Sequence, residues 1–415
     1  MDGQLSLFNL PSSRTQRQQA AVDAWVDNKC RGTINAAVGF GKTRMGLMSI
    51  KRFLTKNPTK SVLVVVPSDP IRLQWMKELQ DWNLSGEVRT MYDTSRNKYE
   101  CDLLVLDEIH RCAADSLFNT FENVKFKLIL GLTATFERLD GRDKLISKYC
   151  PIIDTITTEE AISNGWLSDY REYLVLIQPA DIETYRNFNK EFTEHFSFFN
   201  FNFPVAMSCA TDWKYRVRYA KEHNLEVKTV LIHAMGFSRT LQARKKYINN
   251  HPKKIELTNL ILEHRQDRKC VTFSATIAMA EQIKYGKVYS GKDSAKKGRI
   301  TLEEFINQDR GTLNTVMKLN EGFNDPSLSV AVILGMNSSK TVKTQRRGRV
   351  LRAQEGKVVE IFNLVIKGTV EEQWFQNSVG TSNYITIDEE NLVNLLEGKD
   401  FTKKKNKQTS MLFRF

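Results

Sequence analysis

One loop of this sequence, NAAVGFGKTRMG, has the residue types and spacing of a phosphate-binding loop. Such loops follow the pattern G-x-x-x-x-G-K-[ST], and Ala36 occupies the position of the first glycine. Gly39 and Gly41 would let the backbone approach closely, so that N–H groups and a helix N-terminus face the phosphates. Lys42 would then reach the β- and γ-phosphates, and the Thr43 hydroxyl would bind Mg²⁺. The alternative is a glycine-rich turn with an incidental lysine, but a predicted strand before the loop and a predicted helix after it favour a bound nucleotide.

Two adjacent acids end the second stretch that could do chemistry, CDLLVLDEIH at residues 101–110. Carboxylates at the end of a buried strand are costly unless they meet a cation or water. Asp107 is therefore the candidate ligand of Mg²⁺, and Glu108 is the candidate base that activates the attacking water. A solvated strand end is the alternative interpretation. The occurrence of both motifs in the expected order argues against it.

These loops need strands to position them, and the first part of the chain alternates β-rich runs with helical stretches. That alternation is typical of a parallel α/β sheet, and polar clusters at the carboxyl ends of its strands mark a ligand site. The run SVLVVVP is apolar throughout, which predicts burial on both faces. The predicted strands of this series are residues 32–38, 61–67, 101–110 and 127–135.

A second strand series follows and predicts a second lobe. Its predicted strands are residues 171–179, 269–276, 312–318 and 328–334. The segment from Asp181 to Arg265 between them is mostly helical in character. The expected fold is therefore two α/β lobes in tandem, each with a parallel sheet, and the second lobe carries a helical insertion.

Composition limits the class of protein. A chain of 415 residues suggests two or three domains, and 41% hydrophobic with 26% charged residues describes a globular protein. It contains neither a run of about 20 apolar residues nor an N-terminal signal pattern, so we expect a cytoplasmic protein, in the host cytoplasm if a phage encodes it. The six cysteines form no CxxC pairs, which favours reduced thiols over a disulfide framework or a zinc site.

The formal net charge of +13 suggests a polyanionic partner. Six basic residues and one acid lie in the last 17 positions and could form a solvated tail. Without that tail the rest of the chain still carries +8, which favours nucleic acid over a small acidic substrate.

Four motifs together resemble those of superfamily 2 helicases of the DExH type: AxxGxGKT, DEIH, LTAT at 132–135 and QRRGRVLR at 345–352. The resemblance covers roughly residues 14 to 370, and QRRGRVLR is its most specific part. It implies two RecA-like lobes that bind ATP between them. Alanine is common in this family at the position of Ala36, so the resemblance also accounts for the missing glycine.

The resemblance implies roles for further residues. Gln18 matches the glutamine that contacts adenine, and Thr133 and Thr135 match the motif that couples hydrolysis to lobe movement. The implied nucleotide contacts are Gln18, Gly39, Phe40, Gly41, Lys42, Thr43 and Arg44. The implied catalytic set is Lys42, Glu108, Gln345, Arg349 and Arg352. The resemblance implies that Arg349 and Arg352 face the γ-phosphate. This agrees with the chemistry of phosphoryl transfer, in which negative charge spreads over the γ-phosphate oxygens and needs positive charge nearby.

The same resemblance places nucleic-acid contacts in both lobes. Pro67 and Ser68 follow the strand SVLVVVP, and Ser274, Ser290 and Gly322 lie in FSAT, VYSG and KLNEGFNDP. Contacts of this type go to phosphates and give binding without sequence preference.

The chain departs from the family pattern at two places. An aspartate of the family is Asn324 here, although Asp325 follows, and its role in sensing nucleotide is open. The segment between Trp82 and Cys101 is short, so one strand-contact motif is missing or reduced.

Two stretches of the predicted insertion have alternative interpretations. The aromatic run HFSFFNFNFP could stack on bases, but Phe192, Phe196, Phe199 and Phe203 recur at three- and four-residue steps, which favours core packing. The basic stretch ARKKYINNHPKKIE at 243–256 could line a DNA channel or form a solvated face.

The N-terminal peptide QLSLF resembles the pentapeptide by which bacterial replication and repair proteins bind the sliding clamp. Gln4 would be its polar anchor, and Leu5, Leu7 and Phe8 would fill an apolar pocket. Packing of these residues onto the first lobe is the alternative.

The sequence therefore predicts a monomeric ATP- and Mg²⁺-dependent DNA helicase or translocase that acts on single-stranded, forked or branched DNA, without a membrane partner. It resembles the branch-migration helicases of large phages and the XPB-like repair helicases. The alternatives are a duplex translocase without unwinding, an RNA helicase and a non-catalytic scaffold. The predicted domains are a tail at 1–13, lobes at 14–165 and 166–375, an insertion at about 181–265 and an extension at 376–415.

Overall fold

The computed structural model describes residues 13–134, 136, 141–290, 293–316, 325, 327–336, 357–379 and 383–400, without the side chains of residues 115, 295 and 296. The chain divides into two compact units, which we call lobes. The first contains the described residues up to Tyr170, and the second contains most of the described residues from Arg171 onward. The predicted site residues that lie outside the described residues are Gln4, Leu5, Leu7, Phe8, Thr135, Gly322, Gln345, Arg349 and Arg352.

The described part of the first lobe is a six-stranded sheet with helices. The strands are β1 Arg31–Ala36, β2 Val62–Val66, β3 Glu87–Thr90, β4 Tyr99–Asp107, β5 Val124–Thr133 and β6 Ile152–Ile156. The helices are α1 Ser13–Asp27, α2 Lys42–Lys56, α3 Asp69–Asp81, α4 Met91–Thr94, α5 Asp115–Phe118, α6 Thr120–Asn123, α7 Asp143–Tyr149 and α8 Thr158–Ser163, with a 3₁₀ helix at Ile109–Ala113.

The first sheet has the order β3-β2-β4-β5-β1-β6, and all its pairs are parallel. Every residue of β2 is buried, which confirms the prediction from its apolar sequence. Alternate residues pack on opposite faces, because Leu63 and Val65 belong to one apolar cluster and Val62, Val64 and Val66 belong to another. In this order β1 and β4 lie on either side of β5, so the loop after β1 and the acids after β4 meet at one edge of the sheet.

The described part of the second lobe has a seven-stranded sheet. Its strands are β7 Asp169–Ile177, β8 Lys269–Ser274, β9 Lys287–Tyr289, β10 Gly311–Val316, β11 Val330–Ile333, β12 Val358–Ile366 and β13 Ile385–Asp388. Its helices are α9 Ile182–Ser197, α10 Phe203–Thr211, α11 Trp213–Glu222, α12 Val227–Asn249, α13 Pro252–Glu263, α14 Ile277–Glu281, α15 Ala295–Ile306, α16 Val370–Val379 and α17 Glu389–Leu396. The strand order is β13-β7-β12-β11-β8-β10-β9.

Helices α9 to α13 form the predicted helical insertion between β7 and β8. Helices α9 to α12 share their own apolar cluster, in which Phe199 is buried and Phe192 and Phe196 are partly buried. Core packing is thus confirmed for these three rings. Phe203 is 45% exposed and begins α10, so the apolar spacing does not continue along one helix.

The basic stretch at 243–256 is neither a continuous channel wall nor a continuous solvated face. Arg244 is buried with its guanidinium 4.1 Å from the centre of the Phe192 ring. Lys254 is fully buried and forms a 2.7 Å ion pair with Glu371. None of the helices in the described residues is long and apolar enough to span a membrane.

Candidate functional site

The predicted phosphate loop connects β1 to α2 at the carboxyl edge of the first sheet. Gly39 and Gly41 have φ angles of +87° and +107°, in the left-handed region that favours glycine. A Cβ atom on Gly41 would lie 2.6 Å from Nε2 of Gln18. Ala36 is instead the last residue of β1 and is buried, so its methyl group lies within the strand rather than in the tight part of the loop. The position of Ala36 explains why a glycine is not needed there.

Helix α2 begins at Lys42 directly after the loop, and its N-cap residue, Gly41, has no side chain that could cap the helix. The N–H groups of a first helical turn have no partner within the helix. They and the positive end of the helix dipole are therefore available to phosphate oxygens.

The two acids after β4 have different surroundings. Asp107 is the last residue of β4 and is buried. Glu108 has a φ of +53°, which is unusual for a residue with a side chain. Its carboxylate lies 3.3 Å from Nζ of Lys42. The lysine of the loop and the second acid thus form one ion pair.

His110 connects this ion pair to the end of β5. Its Nδ1 lies 3.3 Å from the second oxygen of Glu108 and 2.9 Å from the hydroxyl oxygen of Thr133. His110 and Thr133 are both buried. The structure therefore brings together Lys42, Glu108, His110 and Thr133, which the sequence placed in three separate motifs.

The surroundings shift the pKa values of the two acids in opposite directions. Burial, together with the neighbouring charge of Glu108, raises the pKa of Asp107. Burial would also raise the pKa of Glu108, but Lys42 and the hydrogen bond from His110 outweigh it and lower that pKa. Glu108 is therefore the more acidic member of the pair.

The donor atoms at this edge fit a magnesium ion. Hard oxygen donors are the ligands that Mg²⁺ prefers, and the Asp107 carboxylate and the Thr43 hydroxyl are of this kind. The raised pKa of Asp107 points the same way, because a dication would offset the buried negative charge.

Helix α1 contacts the loop from its other side. Gln18 donates from Nε2 to the Phe40 carbonyl at 2.8 Å, and its buried Oε1 has no hydrogen-bond partner among the described residues. Arg14, which sequence reasoning missed, donates to the carbonyls of Gly39 and Phe40 at 2.5 and 3.3 Å. Arg14 precedes Gln18 by one helical turn, and that spacing could have identified it.

The side chain of Phe40 is fully buried and packs against Trp166, with ring centres 5.4 Å apart. Only the backbone of Phe40 can therefore face a nucleotide. Arg44 is exposed in the first turn of α2. Burial and the charge of Arg44 lower the pKa of Arg14.

The residues predicted to contact nucleic acid lie at strand ends. Ser68 follows β2 and Pro67 and precedes α3, and its buried hydroxyl has no partner among the described residues. The hydroxyl of Ser274, at the end of β8, is fully buried and likewise has no partner in the described part of the chain. Ser290 instead donates from its N–H and its hydroxyl to Asp293, at 2.8 and 3.1 Å. The roles of these residues stay predictions.

Two family descriptions match the chain. The first is "Type III restriction enzyme, res subunit", over residues 12–100 and 84–138. The second is "Helicase conserved C-terminal domain", over residues 252–354. The first match covers the phosphate loop and both acids, and the second covers the whole stretch QRRGRVLR.

Known proteins resemble the chain over most of its length. It is 24% identical over 380 residues to the DNA 3'-5' translocase XPB2 of Sulfurisphaera tokodaii, which covers 85% of this chain and 82% of that protein. The helicase domain of Pyrococcus furiosus Hef superposes with a TM-score of 0.53 at 17% identity, over 87% of this chain and 97% of that chain. S. cerevisiae Dbp5, solved with RNA and ADP BeF3, superposes with a TM-score of 0.60 at 12% identity, over 94% of this chain and 93% of that chain. These likenesses confirm the predicted fold of two tandem RecA-like lobes.

Proposed function

We propose that this chain, a superfamily 2 helicase that hydrolyses ATP and resembles the XPB-like DNA helicases, uses the hydrolysis to move along DNA or to remodel forked or branched DNA. The observation that carries the proposal is the arrangement of Lys42, Asp107 and Glu108 at one edge of the first sheet. It places a cation for phosphates beside one acid that could hold Mg²⁺ and one that could orient the attacking water, and these are the parts that phosphoryl transfer to water uses.

Each residue of this edge has a role in the proposal. Lys42 and the N-terminus of α2 bind the β- and γ-phosphates of ATP. Glu108 is ionised and accepts a proton from the attacking water. Mg²⁺, held by Thr43 and Asp107, would supply positive charge to the phosphate oxygens.

The adenine end of the site belongs to α1. The Oε1 of Gln18, which is buried and has no partner among the described residues, would accept a hydrogen bond from the amino group of adenine. Arg14 fixes the carbonyls of Gly39 and Phe40, so that the N–H groups of the loop keep their direction. Arg349 and Arg352 complete the proposed site through their match to the family motif.

DNA is the proposed substrate for two reasons. The net charge of +13 favours a polyanion, and the relative that matches 85% of the chain is described as a DNA translocase. A duplex translocase and an RNA helicase are the second candidates. Both would use the same nucleotide site. The translocase would move on duplex DNA without separating its strands, and the RNA helicase would bind RNA and separate its strands.

ATP hydrolysis and strand separation, measured with a panel of nucleic acids, test the proposal. The panel contains single-stranded, duplex, forked and four-way DNA, together with single-stranded and duplex RNA of the same sequence. We expect the largest stimulation and strand separation with forked or four-way DNA. Duplex-stimulated hydrolysis that displaces a third strand without separating the duplex would favour the translocase. A preference for RNA would favour the RNA helicase.

A further inference from the structure

Trp75, on α3, makes a contact that the nucleotide motifs do not predict. Its indole N–H donates to Oδ2 of Asp107 at 2.9 Å. The Trp75 side chain is fully buried and Asp107 is 7% exposed. An indole has one hydrogen-bond donor and no acceptor, so this bond satisfies the whole polar capacity of Trp75.

The same indole also touches the helix that follows the phosphate loop. A Cβ atom on Gly46 of α2 would lie 2.5 Å from Cη2 of Trp75, so the ring needs the glycine in order to approach α2. Gly46 lies one turn after Lys42. Trp75 is therefore packed between the helix that carries the phosphate-binding lysine and the acid at the end of β4.

A second tryptophan shows what a purely structural indole does in this lobe. Trp25 is also fully buried and belongs to the same apolar cluster as Trp75. Its N–H donates to the backbone carbonyl of Ile129 at 3.0 Å. Core packing needs only an acceptor of this kind. Trp75 uses the carboxylate that is proposed to hold the metal.

We propose that Trp75 is a positioning residue for the magnesium site. Its N–H holds Oδ2 of Asp107 and so orients the carboxylate that would hold the metal. Side chains that hydrogen-bond to a metal ligand in this way orient the ligand and raise the affinity for the metal.

The position of Trp75 on α3 would also connect the magnesium site to bound nucleic acid. Helix α3 begins directly after Pro67 and Ser68, which are proposed to contact nucleic-acid phosphates. A shift of α3 on nucleic-acid binding would move Trp75 and thereby Asp107. This second part rests on the proposed function, whereas the metal part needs only the nucleotide site.

Trp75→Phe tests the metal part, because it keeps an aromatic ring and removes the N–H. Binding of a fluorescent ADP analogue, titrated with MgCl₂, reports the metal without any turnover. We expect the half-saturating Mg²⁺ concentration to rise about 10-fold, the lower end of the effect of lost outer-shell partners. Affinity for the analogue in EDTA should change little.

Trp25→Phe is the matched control, since it also removes a buried indole hydrogen bond from the same cluster. It should leave the half-saturating Mg²⁺ concentration unchanged. If Trp75→Phe does not fold, β-(3-benzothienyl)alanine placed at position 75 keeps the shape of indole and replaces its N–H by sulfur. An unchanged Mg²⁺ requirement in the folded variant, or an equal rise in Trp25→Phe, would overturn the proposal.

The nucleic-acid part has a separate readout. The ratio of ATP hydrolysis rates with and without DNA, at saturating Mg²⁺, should fall in Trp75→Phe and stay at the wild-type value in Trp25→Phe. An unchanged ratio in Trp75→Phe contradicts the link through α3. A wild-type protein that no nucleic acid stimulates contradicts the proposed function instead, and the Mg²⁺ titration still decides the metal part.

Discussion

The ammonium group of Lys42 lies 3.3 Å from the carboxylate of Glu108, so the proposed phosphate ligand and the proposed base share one ion pair. Burial raises the pKa of Glu108, but Lys42 and His110 outweigh this effect and lower that pKa. Phosphate oxygens of ATP would compete with Glu108 for Lys42, and His110 would still hold the second oxygen of Glu108. The two residues should therefore fail in different ways when they are changed.

Lys42→Ala should weaken ATP binding, because it removes a charged phosphate ligand. Hydrogen bonds to charged groups are worth about 1.5–3 kcal/mol, which corresponds to a loss of affinity of about 10-fold or more. Glu108→Gln keeps the size of the side chain and should bind ATP, while hydrolysis falls by about 10²- to 10⁴-fold. Titration with a fluorescent ATP analogue measures nucleotide affinity, and phosphate release measures the rate of hydrolysis. Equal losses of nucleotide affinity in both variants would contradict the assigned roles.

Arg349→Ala should bind ATP and DNA and lose most of its turnover. Arginines that act on the transferring phosphate can be worth about 10³-fold or more in rate. Single-turnover hydrolysis and DNA-binding anisotropy, measured on the same preparation, separate the two properties. If DNA binding is lost while hydrolysis persists, Arg349 contacts the phosphates of the nucleic acid.

Lys254 provides a test of stability in the second lobe. It is fully buried and donates to Glu371 at 2.7 Å and to the Leu334 carbonyl at 2.9 Å. Burial lowers the pKa of Lys254 and raises that of Glu371, so each charge depends on the other. Lys254→Met would leave Glu371 buried without its charged partner, although the Ile366 N–H would still donate to it, and should lower the free energy of unfolding in urea by about 3–5 kcal/mol.

Lys253→Met is the control for this change. Lys253 is partly exposed and pairs with Glu256 at 2.7 Å and with Glu389 at 3.6 Å, and ion pairs near the surface are worth about 0–1 kcal/mol each. Changing both Lys254 and Glu371 to apolar residues should recover much of the lost stability, because no unpaired charge then remains. A double variant that is no more stable than Lys254→Met would argue against the buried pair as the cause.

The sequence predicted the strands that carry the nucleotide site because apolar runs and motifs coincide in them. Strand β2 has no polar residue, and β1 and β4 end at the phosphate loop and the acids. Strand β12 was not predicted, because Glu360 and Asn363 interrupt its apolar pattern. Both are buried with distant partners: Arg265 donates to Glu360 at 2.8 Å, and Asn363 donates to Glu172 at 3.1 Å.

The residues that support the site could not be predicted from the sequence either, because their partners are also distant along the chain. Gly39, Gly41, Lys42, Asp107 and Glu108 belong to motifs whose residue types and spacing predict a role. In the sequence, Trp75 is indistinguishable from an ordinary apolar residue of α3, because its partner, Asp107, lies 32 positions away. Contacts of this kind depend on which strands become neighbours, and that is decided by packing across the whole lobe.

The rate of ATP hydrolysis by the wild-type chain, with and without DNA at saturating ATP and Mg²⁺, tests the central claim most directly. We expect slow hydrolysis without nucleic acid and a many-fold rise with DNA, and Glu108→Gln, which should still bind ATP, should lower both rates by about 10²-fold or more. A high wild-type rate that neither DNA nor RNA changes would contradict a nucleic-acid motor.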